Sequence, residues 1–234
     1  MAVWELLISV SDIWMIIIGA VFGIRFIRNH RNYLIGLEWL VMATSGTNFL
    51  IYGLIKAGPG TPIYHLAFFF DAFSRSIGFT LILALGLMKV THRFHPPKSV
   101  DIALFALAAV LGFVLSEYSV QLGTAGKAFM LFTALAVSGF LFYFAARLWA
   151  IGERTHSIWI GVATVLNIVI ASIYDFWHIP GDDANHTIFY TFALFTWGLA
   201  MMVVYYGYTA FDAHNKRVDA LDSAAADRER SALR

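Results

Sequence analysis

The chain contains no cysteine. That removes disulfides, thiolate metal sites, iron–sulfur clusters and cysteine nucleophiles together. Charge is scarce as well: Asp, Glu, Lys and Arg make up 13% of the residues, about half the share in an ordinary soluble domain. Five prolines are present, Pro59, Pro62, Pro96, Pro97 and Pro180. All five fall between apolar runs, so no run is expected to be broken by proline as the discontinuous helices of many transporters are. A net charge of +1 with no basic, aromatic-interleaved patch gives no reason to expect a nucleic-acid partner. The opening MAVWE has no Lys or Arg, and Arg25, Arg28 and Arg31 follow the first apolar run. This is the reverse of a cleavable signal, and the run is expected to be retained.

Hydrophobic residues fill the space that charge leaves, at 59% with a mean hydropathy of +0.71. They come in runs of about 20 residues, the length that crosses about 30 Å of hydrocarbon as a helix. Seven spans are predicted, at about 3–24, 33–55, 63–88, 99–118, 127–149, 157–177 and 186–210. The expected fold is an all-α, seven-transmembrane-helix bundle over residues 1–212, with short loops that make successive helices antiparallel neighbours. Residues 213–234 read as a short charged tail, either a helix with Val218, Leu221 and Ala225 on one face or a frayed end.

Basic residues set the expected orientation. Arg25, Arg28 and Arg31, then Lys89, Arg93 and Lys98, then Arg147 and Arg154, and finally Lys216 and Arg217 all fall on one side. The positive-inside rule puts that side and the C-terminus in the cytoplasm and the N-terminus outside. The expected location is therefore the plasma membrane, which is the inner membrane in a bacterium. Trp4, Trp39, Trp149, Trp159 and Trp177 lie near span ends, where interfacial anchors belong. Glycines inside spans, including a GxxxG at Gly19 and Gly23, point to close helix packing.

A faint repeat appears at an offset of 120: Gly19, Phe22, Trp39, Ala43 and Thr44 match Gly139, Phe142, Trp159, Ala163 and Thr164. One residue out of phase, His65, Phe68 and Ala72 match His186, Phe189 and Ala193. This would make a 3+1+3 bundle of two parallel halves, with the fourth span as linker.

Ionisable residues within spans are costly and are functional candidates for that reason. Glu38, Ser45, Asn48 and Tyr52 form one stripe at helical spacing, and Thr164, Asn167, Tyr174, Asp175 and His178 form another. Asp71 and Arg75 lie one turn apart and are expected to pair. The outer half of the bundle is therefore expected to hold a polar cavity lined by Asp12, Asn48, Tyr52, Asp71, Arg75, Asn167 and Tyr174. The stretch from Asn167 to Thr191 adds Asp175, His178, Asp182, Asp183 and His186 around a short turn. Two imidazoles and a carboxylate (Asp175, His178 and His186), with His65 as a fourth ligand, suit Zn, Cu or Fe. The alternative is a solvated turn whose acids are counter-charges.

Familiar seven-span types fail on single residues. A retinal chromophore needs a lysine in the last span, and Lys56, Lys89, Lys98, Lys127 and Lys216 all lie outside it. There is no Pro-Gln, the mark of the PQ-loop permeases, and His186 has Tyr190 where the alkaline-ceramidase type has the second histidine of HxxxH. Three functional classes remain. They are a bundle binding a small molecule or ion (sensor or small-solute permease), a metal-dependent enzyme acting on a lipid or hydrocarbon, and an accessory subunit of a membrane complex. Expected partners are membrane lipid, that small molecule or ion, and a second copy or another membrane protein.

Overall fold

The computed structural model describes residues 2–56, 58 and 60–232. Among them there is no strand. Seven helices are long and apolar enough to cross a membrane: α1 (Ala2–His30), α2 (Tyr33–Leu54), α3 (Pro62–Thr91), α4 (Lys98–Glu117), α5 (Ser119–Ala150), α6 (Arg154–Tyr174) and α7 (Thr187–Ala232).

Local chemistry marks the ends. Asn32 and Thr61 cap α2 and α3 by accepting from the amides of Ile35 and Tyr64. Pro62 does not lie in a loop as expected; it occupies the first turn of α3, where a helix has no use for the missing N–H. Pro96, Pro97 and Pro180 are in connectors, and Pro59 lies outside the described residues. At the other end of α1, Arg31 turns into the left-handed region and the Asn32 amide reaches back to the Phe26 carbonyl at 3.1 Å. Arg93 does the same after α3, with Phe94 bonding to Met88 at 3.2 Å. Both are reversals that satisfy the last carbonyls of a helix.

The helices form a closed ring. α1 lies between α2 and α7, α7 packs on α6, α6 on α5, α5 on α3, and α3 on α2. α4 stands outside that ring, mainly against α3, and buries only Ala108 and Gly112. Contacts within α1–α3 therefore have counterparts within α5–α7. The α1–α7 contact likewise corresponds to the α5–α3 contact. Of the residue identities at offset 120, Ala43 and Ala163 are both buried, but three other pairs do not share environments. Gly19, Phe22 and Trp39 face the interior, whereas Gly139 meets nothing within 4 Å, Phe142 is 42% exposed and Trp159 is 50% exposed.

Inside the ring, Phe26 packs edge-on against Trp39, Tyr205 and Tyr208, with centroids 4.6, 5.1 and 5.0 Å away. Leu87, Phe144 and Met201 complete this cluster. Trp39, expected as an interfacial anchor, is thus a core residue, because the close α1–α2 crossing turns it inward. Large apolar side chains such as Ile102, Val110, Phe132 and Val169 cover the outside, as suits helices bathed in hydrocarbon.

Two irregularities set the positions of the polar groups and of the tail. Residues Ser74–Ile82 of α3 form a π-helical segment, a rare widening that is often found at functional sites. Hydroxyls tie it down: Thr133 of α5 donates to the Arg75 carbonyl at 2.8 Å, Ser76 to Phe73 at 3.2 Å, and Thr80 to Ser76 at 3.2 Å. Such bonds satisfy carbonyls that a widened helix leaves poorly paired. α7 runs without a break into the charged tail. His30, the Val90 carbonyl and Arg93 hold it there, through Asp212 at 3.1 Å, Asn215 at 2.9 Å and Asp219 at 2.7 Å.

Candidate functional site

Arg75 is the centre of the polar groups. As expected, it pairs with Asp71 one turn earlier, Nη1 to Oδ2 at 3.2 Å. Nη2 also binds Asp175 from the end of α6, which the spacing of Asp71 and Arg75 alone does not reveal. The guanidinium lies over the Tyr174 ring, 3.7 Å from its centre, a cation–π arrangement. Tyr174 donates its hydroxyl proton to the second Asp71 oxygen at 2.8 Å and lies 3.3 Å from the Tyr190 hydroxyl on α7. Three helices thus meet at one cation. The side chains of Asp71, Arg75 and Asp175 remain 33%, 19% and 17% exposed, so the cluster is open at the surface of the bundle. Lys127 donates to the Asp175 carbonyl at 3.3 Å, holding the close of α6 against α5.

The remaining expected cavity residues lie elsewhere. Asn48 donates to the Ile63 carbonyl at 3.2 Å and anchors the start of α3. The Tyr52 ring lies tilted against Tyr64, with centroids 6.1 Å apart. Asn167 spends its amide on the Ala163 carbonyl of its own helix at 2.9 Å. Asp12 is buried against Gly46 with no hydrogen-bond partner. Of the seven residues expected to line a cavity, the structure brings Asp71, Arg75 and Tyr174 together, and they bind each other. Two apolar grooves indent the bundle, of about 360 Å³ along α5–α6 and about 210 Å³ along α6–α7.

The four expected metal ligands are also apart. Asp175 is taken by Arg75, and His65 lies 3.6 Å from Glu117 at the opposite side of α3. Only His178 and His186 meet, with ring centroids 4.8 Å apart. Among the described residues no three His, Asp or Glu side chains are grouped to hold a metal. The acids of the turn have a different task. Asp182 accepts from the amides of Ile188 and Phe189 at 2.8 and 2.9 Å. Asp183 accepts from the Thr187 amide and hydroxyl at 3.0 and 2.8 Å. Together they cap α7 and meet its dipole.

These caps make a prediction. Asp182→Ala should cost about 1 kcal/mol, the usual value of a lost cap, measured as a lower melting temperature in detergent. The Thr187 amide and hydroxyl hold the Asp183 carboxyl below its ordinary value of 3.8. Because its folded value is depressed, its contribution is present above the unfolded value and lost as pH falls through the lower, folded one. Asp183→Asn should therefore narrow the gap in melting temperature between pH 6 and pH 3; an unchanged gap would remove Asp183 from the cap.

Sequence reading missed Tyr190 and Thr133. Tyr190 lies one turn into α7 from the capped end, and only the fold brings it to Tyr174. The chain matches no protein family, no curated protein and no solved structure.

Proposed function

We propose that the chain is a membrane sensor that binds a small cation at the Arg75 cluster. It lies in the plasma membrane as two parallel triplets joined by α4, with the acidic turn outside and the basic loops and tail in the cytoplasm. The observation that carries this reading is the convergence of Asp71, Asp175, Tyr174 and Tyr190 on one guanidinium that solvent can reach. The cluster sets two carboxylates against Arg75, with the Lys127 ammonium on the Asp175 carbonyl. Carboxylates beside aromatic faces favour an organic cation, as aromatic cages do for ammonium groups.

Two features favour a sensor over a permease. Below the cluster the interior is packed with the large apolar side chains Phe26, Trp39, Leu87, Phe144 and Met201. α7, meanwhile, carries Tyr190 of the cluster and continues as one helix to Asp212 and Asn215 at the other end. A change at Tyr190 is therefore transmitted along a rigid element to the tail.

The test is thermal unfolding of the full chain in lipid nanodiscs with tetramethylammonium, guanidinium, sodium and acetate. Tetramethylammonium or guanidinium should raise the melting temperature of the wild type and leave Asp175→Asn unmoved. If no cation acts, or if Asp175→Asn responds equally, the cluster is a structural tie and not a binding site.

A further inference from the structure

Glu38 of α2 is a second ionisable group within the bundle, and nothing at the Arg75 cluster accounts for it. Its side chain is buried, at 1% exposure, and among the described residues neither carboxyl oxygen has a hydrogen-bond partner. The carboxyl lies against the π segment of α3. A Cβ on Gly78 would come 3.0 Å from Glu38 Oε1 and 2.8 Å from the Phe73 carbonyl. A glycine therefore makes room for the acid at this point. The Ser74 side chain lies beside Glu38, and it is buried with, among the described residues, no partner for its hydroxyl. Two orphaned polar groups thus face each other in an apolar interior, where an unmet group costs about 1–3 kcal/mol.

Three cations of α1 and α3 are committed elsewhere. Arg75 binds Asp71 and Asp175, Lys89 of α3 lies 3.9 Å from Asp101 of α4, and Arg25 of α1 lies over the Phe22 ring. Asp12 of α1 is enclosed against Gly46. An ionised Glu38 would therefore be a bare charge in a low dielectric, which folded proteins avoid by neutralising the group. A metal ion would not serve, since a hard cation asks for about six oxygens, and the Glu38 carboxyl, the Ser74 hydroxyl and the Phe73 carbonyl fall short of that. A proton removes the bare charge and supplies a donor for the Ser74 oxygen.

We infer that Glu38 is a proton-binding site inside the bundle, closed by Ser74 and opposite Gly78, and that the Arg75 cluster is linked to it. The link is covalent. Ser74 and Arg75 are consecutive in the π segment, one directed to Glu38 on α2 and the other to Asp175 on α6. Loss of the proton leaves a carboxylate that draws the segment and its cation toward α2. Loosening Arg75 from Asp175 gives that carboxylate a counter-charge. The site does not require that any ligand bind at Arg75.

Infrared difference spectroscopy of the full chain in nanodiscs, titrated with pH, reads this directly through the C=O stretch of protonated carboxyls. At neutral pH the wild type should show such a band. Asp12, equally buried and without a partner among the described residues, should add a component of its own; Glu38→Gln should remove the component that Ser74→Ala shifts, and Asp12→Asn should leave that component in place. Ser74→Ala should move it to higher frequency by removing its hydrogen bond. If Glu38→Gln leaves the band unchanged, or Ser74→Ala does not shift it, the site is overturned. Should Glu38→Gln fail to fold, the Ser74→Ala spectrum alone decides. Asp175→Asn frees positive charge and should shift the titration midpoint of the Glu38 band to lower pH; an unmoved midpoint overturns the link to Arg75, whether or not cations bind there.

Discussion

Arg75→Met should lower the stability of the bundle by about 3 kcal/mol, the low end for breaking a buried ion pair. The loss comes less from the missing attraction than from what stays behind. Asp71 and Asp175 would face each other with no cation between them. Asp71 would retain only the Tyr174 hydroxyl, and Asp175 would lose its partner. A third of the Asp71 side chain is exposed, so water softens the penalty and the low end applies. Asp71→Ala should do less, because Asp175 still holds the guanidinium. The decisive variant neutralises the whole set: Arg75→Met with Asp71→Asn and Asp175→Asn. With no charge left unpaired, it should recover to within about 1 kcal/mol of the wild type. Unfolding in mixed micelles measures all three. A triple variant as unstable as Arg75→Met would mean that the charges bind the helices together on balance, and that the destabilisation is not a stranded-charge effect.

This pattern shows where sequence reading succeeds. Seven helices long and apolar enough to cross a membrane follow from length and hydropathy, because a helix satisfies its own backbone and that requirement is local. The Asp71–Arg75 pair is legible for the same reason, since one helical turn fixes it. Asp175 and Tyr190 are not legible as its partners, because they reach Arg75 through helix rotation and ring closure. A stripe of polar residues says which face avoids lipid; it does not say whether the groups on that face meet water or one another. Asn48 and Asn167 illustrate this, both being used up on backbone carbonyls.

The acidic turn was misleading for a related reason. His178, Asp182, Asp183 and His186 are close in sequence and have the right chemistry for a metal. An exposed helix N-terminus makes its own demand for carboxylates, however, and the first amides of α7 take them. The π segment left no mark that could be read from periodicity, although a glycine and three hydroxyl residues between Ser74 and Thr80 are what such a segment uses.

The α1–α2 crossing carries the second large effect. A Cβ on Gly19 would lie 2.8 Å from the Trp39 carbonyl, and one on Gly23 would lie 2.9 Å from the Gly36 carbonyl. The opposing atoms are backbone, so no side chain can swing aside, and Gly36 meets Gly23 in the same way at 3.0 Å. Gly23→Leu should therefore force the helices apart, at a cost at the upper end of about 1–3 kcal/mol for overpacking, and it should also loosen Trp39 in the core. Size-exclusion profile and melting temperature in detergent measure both. Gly139, the counterpart of Gly19 at offset 120, meets nothing within 4 Å. Gly139→Leu should be neutral, or stabilising by up to about 1 kcal/mol through helix propensity. If Gly139→Leu proves as damaging as Gly23→Leu, the two triplets pack through equivalent glycines after all. If both are neutral, the close approach of α1 and α2 is wrong, and with it the inward turn of Trp39.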